Sequence, residues 1–122
     1  MIEGDLLGES MRVGSTLSGV PLRIQEIRRV RVTEPTDEQP DTWTHIIFEA
    51  DDDAAEPLAA ALAACLLPDG GWYCDFSTAA EKFVVYADRV FRYRRGDAAG
   101  RDEAAAYGRS VGVPEPQLDW AD

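Results

Sequence analysis

The chain predicts an α+β fold, a two-layer sandwich with a mostly antiparallel sheet and both helices on one face, close to a ferredoxin-like (split βαβ) plan. Three observations point to it. Segments rich in β-branched and aromatic residues alternate with two alanine-rich, apolar-striped segments in the order β, β, α, β, β, β, α. Pro, Gly and Asp clusters punctuate them. At 122 residues and 45% apolar, residues 1–122 can bury one core and are expected to form a single domain.

Residues 1–41 make an N-terminal strand region and an acidic loop. "VPLRIQEIRRVRV" (20–32) carries enough Ile and Val for a long strand, but its alternation slips between Ile24 and Ile27, which predicts a bulge near Glu26. "TEPTDEQPDT" (33–42), with two prolines and four acids, reads as an exposed loop. "WTHIIFEA" (43–50) is the next strand.

Acids at 51–53 and Pro57 announce the first helix, because carboxylates suit the positive end of the dipole and proline is tolerated in the first turn. Leu58, Leu62, Cys65 and Leu66 then give it one apolar face. In "GWYCDFS" (71–77), alternation sends Trp72, Cys74 and Phe76 to the core and Tyr73 and Asp75 to the other side.

"EKFVVYADRVFRYRR" (81–95) reads as two strands around a turn at Ala87-Asp88-Arg89. A three-residue turn groups Phe83 and Val85 with Phe91 and Tyr93. A two-residue turn groups them with Val90 and Arg92 and would press a guanidinium against the helices, so the longer turn is preferred. Ala104, Tyr107 and Val111 mark the second helix, with Gly112 and Pro114 ending it. Residues 113–122 are expected to be an extended tail, docked through Leu118 and Trp120.

Twelve basic against 23 acidic residues give a net charge of -11, which argues against nucleic-acid binding and suits a basic protein partner. The apolar pair Leu6-Leu7, flanked by Glu3, Asp5 and Glu9, resembles neither an export signal nor a membrane span, so a cytoplasmic protein without membrane contact is expected. Cys65 and Cys74 have no Cys or His companions at metal-ligand spacing; buried free thiols are expected, with no metal and no cofactor. Gly4, Gly8 and Gly14 lack the ending of a phosphate loop, and "RGD" at 95–97 reads as a turn.

If both helices cover one face, the other collects Trp43, His45, Tyr73, Asp75, Tyr86 and Arg92. Trp43, Tyr73 and Tyr86 would anchor a protein partner or a second copy, with Asp75 and Arg92 fixing the register. That reading makes the chain a non-catalytic protein-binding module, of inhibitor or immunity type by its charge. The alternative is a small-molecule site or acid-base enzyme on the same face, with His45, the only histidine, paired to Asp75 and with Arg92 holding a small anionic ligand.

"GGWYCDFS", "RVFRYRRGD" and "YGRSVGVPEPQLDW" resemble a family of short bacterial proteins that share a GWYxDF strand and a VPExQLDW tail. The resemblance covers about the second half of the chain. It implies a stable domain and no particular activity, and Cys74 and Pro116 fall at its variable positions.

Overall fold

The computed structural model describes residues 1–122. Six strands, β1 (Ile2–Leu7), β2 (Arg23–Arg31), β3 (Thr42–Ala50), β4 (Cys74–Ser77), β5 (Glu81–Tyr86) and β6 (Arg89–Arg94), form one sheet in the order β2-β3-β1-β4-β5-β6. Every neighbouring pair is antiparallel. Helix α1 (Ala55–Cys65) follows β3 and helix α2 (Ala98–Ser110) follows β6. The fold is α+β with an antiparallel sheet.

Strand β1 has no counterpart in the sequence-based order, although it sits mid-sheet between β3 and β4. Its apolar residues Ile2 and Leu6 are buried, but Gly4 interrupts the alternation between them. The glycine is there because the Phe48 ring lies over it. A Cβ at position 4 would fall 2.4 Å from the ring.

Beneath α1, Ile2, Leu6, Phe48, Phe76, Phe83 and Val85 pack against Leu58, Leu62 and Leu66. The expected apolar face of α1 is thus the buried one. The other side of the sheet carries a second layer, in which Val84, Tyr86, Phe91 and Tyr93 pack with Ala104, Val113 and Trp120. Phe83 and Val84 are neighbours in one strand and point to opposite faces.

The helices therefore lie on opposite faces, and the expected placement of both on one face is wrong. β3 and β4, the strands before and after α1, are each paired antiparallel to β1, which runs between them. The reason for the second layer is β5, whose Lys82 to Tyr86 are all buried. Such a strand needs cover on both sides, and α2 supplies the second.

The hairpin between β5 and β6 explains how Phe91 and Tyr93 reach that layer. Its turn has two residues, Ala87 and Asp88, with Asp88 at φ 58°, and Tyr86 pairs with Arg89. Phe83 accordingly shares a face with Arg92, the arrangement considered too costly from the sequence. The cost is avoided because β6 is an edge strand. The Arg92 guanidinium lies 5.1 Å from the Phe83 ring centroid and continues outward to Glu81 and Glu56.

The bulge expected near Glu26 occurs between Ile24 and Glu26. Asp97 caps α2 by accepting from the N–H groups of Ala99 and Gly100, and the helix ends where Gly112 has φ +95°. No helix is long and apolar enough to cross a membrane.

Candidate functional site

Helix α2 and the tail cover only the β5–β6 half of their face. Over β3, β1 and β4 the sheet stays open, and the edge of the tail turns this open half into a cleft of about 260 Å³. Trp43 and His45 reach it from β3, Asp5 and Leu7 from β1, Asp75 from β4, and Pro116, Gln117 and Asp119 from the tail. Trp72 and Tyr73 close one end.

Trp72 is in this cleft against expectation. Gly70 and Gly71 both have positive φ, at 99° and 73°, and the strand begins only at Cys74. The parity that holds for Cys74, Asp75 and Phe76 therefore does not extend back to Trp72. Its ring packs on Trp43 with centroids 5.5 Å apart, while Cys74 and Phe76 occupy the α1-side core as expected.

The tail is held firmly enough to serve as a wall. Gln39, buried in the acidic loop, donates to the Gly70 carbonyl at 2.7 Å and exchanges amide hydrogen bonds with Gln117. Tyr73 donates its hydroxyl proton to the Gln117 carbonyl. Farther along, Trp120 donates to the Tyr93 hydroxyl at 2.8 Å, and Asp122 pairs with Arg101 at 3.0 Å.

The cleft holds three carboxylates in different states. Asp5 Oδ2 lies 2.7 Å from His45 Nδ1, and Asp75 Oδ2 lies 2.6 Å from the ammonium of Lys82. Lys82 is the only lysine of the chain, and its side chain is 4% exposed. Asp119 is exposed and forms no ion pair. Burial, then the charges of Asp75 and Asp119, push the Tyr73 phenol above its ordinary range and keep it neutral.

The sequence-predicted residues divide accordingly. Trp43, His45, Tyr73 and Asp75 do share the cleft. Tyr86 does not: it is 2% exposed beneath α2, where it donates to the Ala104 carbonyl at 2.8 Å. Arg92 lies on the α1 side and is engaged by Glu81 and Glu56, so it is not available to an anion in the cleft.

The expected His45–Asp75 pair is not formed either. β1 intervenes and separates the two by two strand spacings, about 10 Å. Asp5 takes the place assigned to Asp75. The arginines of β2 and those of β6 stand on opposite edges of the sheet and cannot combine into one anion site.

Asp5, Trp72, Lys82, Gln117 and Asp119 were missed. Asp5 had a signal, since "IEGDLL" alternates apolar and acidic residues around its glycine. The tail residues had none beyond the neighbouring Trp120. Chemically, the cleft offers aromatic faces, hydrogen-bond acceptors and negative charge. Its imidazole and carboxylates do not converge into a group of three that could hold a metal ion. Cys74 lies on the other face, and burial, then Asp75 and Asp5, push its thiol well above the ordinary range.

No family model, curated protein or solved structure matches the chain.

Proposed function

We propose that the chain is a non-catalytic protein-binding module whose cleft receives an arginine or lysine side chain of a basic partner. The observation that carries this reading is the juxtaposition of the Trp43, Trp72 and Tyr73 rings with the unpaired carboxylate of Asp119 in one cleft. Aromatic faces attract cations through their quadrupole, by about 2 kcal/mol where water is excluded, and a nearby carboxylate adds direct attraction.

Other features point the same way. His45, within the cleft, and Lys82, paired to the cleft's Asp75, already face carboxylates, which leaves Asp119 to an incoming charge. The volume, about 260 Å³, is below the roughly 300–1,000 Å³ usual for drug-sized ligands and matches one side chain better. A net charge of -11 speeds the approach of a basic protein, as an inhibitor or immunity-type protein of the cytoplasm requires.

A second reading rests on the 2.7 Å contact between His45 and Asp5. That pair, rather than His45 with Asp75, would supply acid-base chemistry to a small molecule in the same cleft.

Calorimetric titration with a short arginine-containing peptide, against its citrulline counterpart, tests the leading reading. Trp43→Leu and Asp119→Asn should each weaken the arginine peptide about tenfold, the equivalent of ~1.4 kcal/mol. Asp102→Asn and Glu103→Gln, on the exposed side of α2, should leave it nearly unchanged. Equal losses in the three charge-removing variants, with none in Trp43→Leu, would mean attraction to general acidity alone and would overturn the cleft assignment.

A further inference from the structure

The outer edge of β2 has no neighbour in the sheet. It runs for nine residues, contains no proline, and is exposed at every position but Val30. Ile24 and Ile27, which point to the α1 side through their pairing with Phe48 and Ile46, are 50% and 64% exposed. A long edge strand with bare isoleucines is a template for another strand.

We propose that β2 pairs antiparallel with β2 of a second copy, about a two-fold axis at Ile27, and joins the two sheets. The charge pattern selects both the occupant and the register. Centring on Ile27 sets Ile27 against its equivalent and places Glu26 opposite Arg28 twice, once on each side of the axis. Opposite charges directly across a strand pair are stabilising and like charges destabilising.

Shifting the axis to Arg28 or Arg29 instead opposes two identical arginines. Intermediate positions are excluded, because a two-fold pairing must bring residues of the same face together. Beyond the bulge the ends do not oppose like charges: Arg23 lies on the cleft face through Glu49 and Arg31 on the α1 face through Thr42, and each already holds a carboxylate of its own chain, Asp51 at 3.4 Å and Asp41 at 3.1 Å. The bulge after Ile24 limits the regular ladder to the residues around Ile27.

This surface is independent of the cleft reading, since Asp119, Trp72 and Tyr73 are not on β2. The test is molecular mass by sedimentation equilibrium over a concentration series. The unaltered chain should reach twice the monomer mass. Glu26→Arg or Arg28→Glu alone sets like charges across both sides of the axis, so each variant should remain monomeric where the unaltered chain is dimeric.

An equimolar mixture of the two variants should recover the doubled mass, because every cross-strand pair is again opposite in sign. The Glu26→Arg, Arg28→Glu double variant should recover it as well. A native chain that holds the monomer mass throughout, or single variants that dimerise like it, would overturn the proposal. Dimers that the mixture and the double variant fail to restore would overturn this register.

Discussion

The ammonium of Lys82 lies 2.6 Å from the Asp75 carboxylate, with 4% of the lysine side chain and 30% of the aspartate side chain exposed. Ser77 Oγ, at 3.4 Å, is a second contact to the ammonium. Removing one member of a buried pair strands the other charge, which costs about 3 kcal/mol. Asp75→Asn should therefore destabilise the chain by about that amount in urea unfolding. The Lys82→Met, Asp75→Asn double variant should regain most of the loss, and additive losses in the two single variants would contradict the coupling.

Gly4 and Phe48 make a steric prediction. Gly4→Ala puts a methyl group against the Phe48 ring and should cost roughly 1–3 kcal/mol. Phe48→Leu alone is destabilising too, but the two together should cost less than their sum. A fully additive pair would show that the ring can move aside.

The Glu81 carboxyl is held below its ordinary value of 4.5, chiefly by the hydrogen bonds from Arg92. A carboxyl depressed in the folded state contributes stability that is complete above its unfolded value and is lost as pH falls through its folded value. The melting-temperature gap between the unaltered chain and Glu81→Gln should thus be present at pH 7 and close below about pH 4.5. A gap that stays constant into acid would separate Glu81 from this ion pair.

At the alkaline end the sign reverses. Burial, with Asp122 close by, pushes the Tyr93 phenol up to about 12, and burial moves Tyr73 and Tyr86 in the same direction. These phenols favour the folded state, fully so below their unfolded value of about 10, and that contribution is lost as pH rises through the folded values. An absorbance titration should show the three ionising late and together with loss of tertiary circular dichroism. Ionisation near 10 in a still-folded chain would contradict the burial of these rings.

Much of this was legible in local patterns. Leu58, Leu62, Cys65 and Leu66 announced α1, the slip between Ile24 and Ile27 announced the bulge, and parity placed Trp43, His45, Tyr73 and Asp75 on one face. Illegible were the features set by non-local packing. The unbroken run Phe83 to Tyr86 did carry the signal for two covered faces, but the assumed three-residue turn masked it. Gly4 hid β1 because its purpose, room for a ring 44 residues away, has no local trace. Without β1 in the sheet, His45 could not be given its partner Asp5.

The central place of β1 governs how the molecule can come together. β2 with β3, and β4 with β5 and β6, are each antiparallel neighbours along the chain and can form as separate hairpins. Only Ile2–Leu7 bridges the two groups, through Ala50 and its neighbours on one side and Phe76 and Ser77 on the other. The first strand along the sequence is thus the piece that unites the two groups, and it holds the sheet together in the manner of a keystone. A chain lacking it would keep two half-sheets with an open slot between them, and a free peptide of the same six residues could occupy that slot.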